Sequence, residues 1–239
     1  MVKHSNEVEE LRVAIHSAPI EAIKRLLAKG PALANAEIWW GENHKNASVP
    51  LHYACDASFN GWISREKSLA IVKLLLAHHA DTEMVSTTGN DTPLIAAASL
   101  HLDQVAIELL RHGSDINFCG THGATAMHWA AWTGSLEFVS FVLDNHPNRF
   151  DLEKRCSEFG ATVFFWAIHG YVQAYLANPR EANQRQQANT ANLLKSKGAD
   201  FRSTNHWHET TLDLFPNDVA DPVKDWLVKL GVKRSQPKK

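Results

Sequence analysis

The residues that most invite a chemical reading are His206-Trp207-His208-Glu209, a run in which two imidazoles and a carboxylate could bind a metal or move a proton. On an extended segment, residues i and i+2 share a face, so His206 and His208 are expected to point the same way. Glu209 could supply a further ligand, but a zinc site needs three or four ligands in fixed geometry, and nothing else nearby completes the set. The chain has no HExxH, no CxxC and no CxxC…HxxxH spacing, although it holds 14 histidines. It also lacks a GxSxG elbow and a phosphate-cradling loop, its 12 glycines being scattered. Cys55, Cys119 and Cys156 are widely spaced, and no base can be paired with any of them from spacing. The expectation is a non-enzyme, with no catalytic residue, no metal and no cofactor.

Bulk properties narrow the field further. The chain has 239 residues, 44% of them hydrophobic, which is enough for a packed core. A formal net charge of -2 gives no long-range pull toward nucleic acid or an anionic membrane. The start, MVKHSNEVEELR, has no apolar stretch of the secretory kind. No run approaches the ~18 apolar residues of a membrane span. Three cysteines without a CxxC fit reduced thiols, so a cytoplasmic location is expected. The basic residues from Lys233-Arg234 to Lys238-Lys239 read as a solvated tail.

The elements that must position any site are set by an internal echo. Residues 92–118, TPLIAAASLHLDQVAIELLRHGSDINF, are restated 33 positions later by residues 125–151, TAMHWAAWTGSLEFVSFVLDNHPNRFD. A fixed period of this size indicates stacked repeats, each a supersecondary unit that buries its apolar face on its neighbours. Thr-Pro or a variant opens a short helix, because the hydroxyl can cap and proline has no useful N–H to lose there. Ala96-Ala97-Ala98 and Ala130-Ala131 let backbones approach closely. A second helix follows with apolar residues at i, i+3 and i+4: Val105, Leu109, Leu110, and then Phe138, Val142, Leu143. Gly113 stands where a helix-ending glycine belongs.

This pattern, TPLHxAA followed by GxxxxVxxLLxxGAxxN, resembles the ankyrin repeat. Weaker copies open at Val49-Pro50-Leu51-His52 and at Thr162-Val163-Phe164-Phe165, and residues 9–17 with 20–29 read as a helix pair without the opener. Residues 222–230 could supply a closing helix. The resemblance implies an all-α fold, an ankyrin-repeat α-solenoid of stacked helix-turn-helix units with β-hairpin-like connectors. It places one repeat domain over residues 7–230: a cap at 7–40, repeats at 44–86, 87–119, 120–156 and 157–204, a second cap at 205–230, and the tail at 231–239. The spacing stretches to 43 from Val49 to Thr92 and to 48 from Thr162 to Thr210. The extra residues are expected between the paired helices, at 58–66 and within 173–190, with Pro179 separating two lengthened helices.

The resemblance also implies what the histidines and tryptophans do. His52 and His128 occupy the TPLH position, where the imidazole bonds backbone near the next hairpin, and Ile95 and Phe165 replace it in the neighbouring copies. Such proteins bind partners through the concave side, made of hairpin tips and the exposed face of the first helices. Mapped here, that surface comprises Trp132, Thr133, Thr121, His122, Trp207, His206, Leu100, Phe159 and Trp62, with Glu158, His169 and Glu209 beside them. Trp132 is expected to be exposed, Trp129 and Trp166 to be core, and Trp226 to pack the closing helix. The expected function is non-catalytic binding of another protein by a monomer, with no nucleic acid and no membrane. The alternatives are a regulatory or inhibitory ankyrin protein, and an enzyme or metal site built on the inserts.

Overall fold

In the computed structural model, residues 6–17, 19–42, 45–85, 87–177, 183–217 and 219–236 are described. The chain forms two compact units, Met1–Thr121 and His122–Lys239. In the first unit, α1 (Asn6–Ser17) and α2 (Ile20–Lys29) are followed by a 3-10 turn at Pro31–Asn35 and an antiparallel pair, β1 (Ile38–Trp40) and β2 (Asn46–Ser48). Then come α3 (Pro50–Phe59), α4 (Arg65–Ala77), α5 (Pro93–Ser99) and α6 (Asp103–Arg111). First helices pack on first helices, α3 against α5, and second helices stack as α2 on α4 and α4 on α6. The second unit has α7 (Ala126–Thr133), α8 (Leu136–Asn145), α9 (Val163–Ala177), α10 (Asn183–Ser196) and α11 (Pro222–Lys229), with α7 on α9 and α8 on α10.

The local chemistry explains where helices start. Thr92 accepts the Ile95 N–H ahead of Pro93, Ser64 accepts the Lys67 N–H, and Asp221 accepts those of Val223 and Lys224. These acceptors satisfy N–H groups that have no partner inside a first turn. The i, i+3, i+4 sets are buried as their spacing requires: Val105, Leu109 and Leu110 on α6, and Phe138, Val142 and Leu143 on α8. Between repeats, a side chain at a fixed register takes a backbone N–H of the following hairpin. Asn35 Oδ1 accepts from Asp81 at 2.7 Å, Glu83 from Asp115 at 3.0 Å, and Glu153 from Asp200 at 2.7 Å. The Thr88 hydroxyl accepts the Ala47 N–H at 2.8 Å and donates to the Ala47 carbonyl at 3.1 Å, closing the outer edge of β2.

The first insert is absorbed differently from expectation, whereas the second lengthens both of its helices as expected. α3 has 10 residues where α5 has 7, and α4 has 13 where α6 has 9. Residues 58–66 therefore include the end of one helix, a short loop and the start of the next. α9 is likewise 15 residues against 8 for α7, and α10 is 14 against 10 for α8. The second helix of that repeat begins at Asn183, so it takes up part of the insert. Pro179 lies outside the described residues. The expected helix pair at 9–17 and 20–29 is α1 and α2, and α11 supplies the closing helix, with the Trp226 ring 6.2 Å from that of Phe164.

One glycine sets how closely the first helices of the second unit approach. A Cβ on Gly170 would strike the Trp132 carbonyl oxygen and lie 2.9 Å from its carbonyl carbon. Backbone cannot swing aside as a side chain can, so Gly170→Ala should force α9 off α7. We expect a loss of about 2–3 kcal/mol, at the upper end of overpacking costs, in chemical denaturation. A neutral result would show that the two helices do not meet at this point.

Candidate aromatic binding face

The expected partner residues fall into two settings. In the first unit, Trp62 is 42% exposed at the loop between α3 and α4. Its ring lies 4.7 Å from that of His16 and meets Trp40 edge-on at 5.8 Å. Trp40 Nε1 donates to Ser48 Oγ, whose hydroxyl donates to Asp56. Burial raises the Asp56 carboxyl pKa and lowers that of the His16 imidazole. Leu100 is half-buried at the C-cap of α5. Thr121 is tied down, its N–H and hydroxyl both donating to Asp91 at 2.8 and 3.1 Å.

In the second unit the remaining residues converge. Trp207, 56% exposed, has its ring 6.2 Å from Phe159. Phe159 lies 5.2 Å from His122 and 6.0 Å from Trp166. Trp166 then meets Trp129 at 5.1 Å and Trp132 at 5.8 Å, and Trp132 meets His169 at 4.8 Å, all three edge-on, the preferred geometry for ring quadrupoles. The floor of this face is core: Trp166 is 5% exposed. Trp129 is half-buried, with an indole N–H that finds no partner among the described residues.

Three expectations need correcting. Trp132 is half-buried, not exposed, because α9 passes against its backbone at Gly170 and Gln187 Nε2 of α10 donates to its carbonyl at 2.7 Å. Thr133 turns inward, its hydroxyl donating to the Trp129 carbonyl at 3.1 Å and lying 3.0 Å from Ser135 Oγ. The 206–208 segment is not extended. Asn205 Oδ1 accepts the N–H groups of Trp207 and Glu209, the Thr204–Thr210 bridge closes the loop, and His208 has φ +64°. The shared strand face expected for the two imidazoles is therefore not formed. His206 packs over Gly160, where a Cβ would collide with its ring. No group of three metal-ligating side chains occurs among the described residues. Sequence reasoning missed Asn205 as organiser of this loop, whose visible signal was only an asparagine at a turn.

The TPLH histidines differ from each other. His128 is fully buried: its Nδ1 accepts the Thr125 N–H at 3.2 Å, so the ring proton is on Nε2, which donates to the Lys154 carbonyl at 3.2 Å. His52 instead places Nε2 3.8 Å from Asp56, and its Nδ1 has no partner among the described residues. His79 and His122 sit at φ +60° and +61°, in a backbone region that glycine favours.

Residues 61–155 match the family described as ankyrin repeats, in three copies. The human neurogenic locus notch homolog protein 2 is 31% identical over 139 residues, covering 58% of this chain and 5% of that protein. The Xenopus laevis neurogenic locus notch homolog protein 1 is 29% identical over 139 residues. The chain thus spans only about 5% of the length of these curated relatives. The crystal structure of EF0377, an ankyrin repeat protein, superposes with a TM-score of 0.62 over 88% of this chain and 92% of that one, at 22% identity. The protein has the ankyrin-repeat fold, and residues 61–155 match ankyrin repeats, generally a protein-interaction module. None of the described helices is long and apolar enough to cross a membrane.

Burial lowers the His128 pKa to about 4. The unfolded chain therefore takes up a proton, below its ordinary value of 6.5, that the folded chain refuses. The stabilising contribution is complete above the unfolded value and is lost as pH falls from about 6.5 toward about 4, by up to ~1.4 kcal/mol per pH unit. His128→Gln should lower stability at neutral pH yet flatten this acid limb by one proton, read from denaturation curves at stepped pH. An unchanged slope would mean that His128 is solvated and titrates normally.

Proposed function

We propose that the protein binds another protein through the aromatic face of its second unit, with Trp207, His206, Phe159 and His122 at the rim and Trp132 and His169 behind them. The observation that carries this reading is a large indole held half out of the surface on a closed loop, continuous with further half-exposed rings. Tryptophan is the side chain most enriched at binding hot spots, and it anchors best beside groups that exclude water. The mechanism is shape complementarity with aromatic anchors, and no bond is made or broken. Trp62 and Leu100, in the first unit, are secondary candidates for contact. Three unpaired cysteines, of which Cys55 and Cys156 are buried and Cys119 is exposed, support a reducing compartment such as the cytoplasm.

Trp207→Ala should abolish capture of partners by the tagged full chain, read by mass spectrometry against wild type. Its unfolding free energy should move by no more than ~0.5 kcal/mol, as for a surface site. Trp132→Ala should instead cost about 2 kcal/mol or more, since its ring is packed. An unchanged set of captured proteins with Trp207→Ala would sink the reading, as would a collapsed melt.

A further inference from the structure

Two carboxylates border this face, and their placement says what kind of side chain would settle there. Glu158 reaches His122 Nδ1 with one oxygen at 2.5 Å and is the chain neighbour of Phe159. Glu209 is held with Trp207 by the same anchor: Asn205 Oδ1 accepts both backbone N–H groups, and Asn205 Nδ2 donates to Glu209 Oε2 at 2.7 Å. Glu209 also acts on His169, its charge opposing the lowering of the imidazole pKa by burial. His169 leads back to the rings through Trp132. Phe159 thus follows one acid directly in the chain, and Trp207 shares its loop anchor with the other. Each carboxylate commits one oxygen to an internal donor, and its other oxygen has no donor among the described residues. Arg155, on the same loops, is engaged by the carbonyls of Gly160 and Thr204.

We propose that the partner presents an arginine to this face, its guanidinium lying against the Phe159 and Trp207 rings and shared by Glu158 and Glu209. The inference rests on the reading of this face as a partner site. Ring faces attract cations, and guanidinium also stacks as a plane. Its fork of N–H groups can serve two carboxylates at once, which a lysine ammonium does with less directional fit. A purely apolar segment would cover both acids without pairing them, at a desolvation penalty. An acidic segment would meet like charge.

A random linear peptide library displayed on phage and selected against the full chain tests this. The selected peptides are then synthesised and titrated against wild type, Trp207→Ala, Glu158→Gln, and Glu158→Gln with Glu209→Gln. Selected peptides should carry arginine. Replacing that arginine by alanine, or both acids by glutamine, should weaken binding about tenfold or more. Lysine in its place should weaken binding several-fold, and affinity should fall between about 50 and about 300 mM salt. The single Glu158→Gln variant guards against disturbance of the Asn205 loop and should itself show a severalfold loss. Peptides that need Trp207 but lack arginine, or that ignore the loss of both acids, would overturn the arginine seat while keeping the face. Peptides indifferent to Trp207→Ala would overturn the face itself. Failure to enrich any peptide over an unrelated control would also overturn the arginine seat, leaving the capture experiment to decide the face.

Discussion

The backbone contact between α7 and α9 at Gly170 is the constraint on which the second unit depends. The Trp132 carbonyl belongs to the last turn of α7, where carbonyls have no acceptor role left inside the helix. Here it is covered by Gly170 from α9 and bonded by Gln187 from α10. Both α9 and α10 thus converge on the C-terminal end of α7. Ala130 and Ala131, fully buried beside it, add no bulk that would hold the helices apart. The close approach in turn sets the edge-on contacts of Trp132 with Trp166 and His169. Moving α9 outward by the width of a methyl group would open those contacts together, because packed interiors transmit strain instead of absorbing it.

How much of this was legible before the structure depends on whether the signal is local. Thr92, Pro93 and the i, i+3, i+4 apolar sets are local, and they correctly located α5, α6 and α8. The inserts were harder. The stretched spacing puts Ser58-Phe59 in an insert between helices, yet a helix already propagating gains one bond per added residue and runs on to Phe59. Trp132 was misjudged for a non-local reason: its repeat position exposes it, and a lengthened α9 with a glycine at the crossing covers it again. The 206–208 segment failed for a third reason. Asn205 uses its side-chain oxygen to take two backbone N–H groups, which converts an apparent strand into a closed loop.

The histidines illustrate how little residue type alone decides. His128 is buried and neutral, fixed by two backbone groups, and belongs to the fold. His79, His101, His122 and His208 all adopt positive φ, each at a cost of the order of 1 kcal/mol relative to a relaxed backbone. At His79 the turn simply ends a helix, and nothing more needs explaining. His122 and His208 are different in place: one lies on the Phe159 ring and the Glu158 carboxylate, the other follows Trp207 in its loop. Strained backbone persists only where its surroundings over-determine it, and here it sits beside rings that the repeat does not require.

Floor and rim of the aromatic face answer to different demands. Trp166 is in the core and touches Trp129, Trp132, His128 and Phe159, so replacing it would damage packing and surface together. Trp207 touches Phe159 from outside, and its loop is closed by Asn205 whether or not the indole is present. The backbone of that loop therefore presents a ring that the fold does not need. The same holds for Glu158, whose exposed carboxylate contributes little to stability as a surface pair with His122. A surface whose chemistry sits on loops already closed by other groups can change its rim residues without unfolding the repeats beneath.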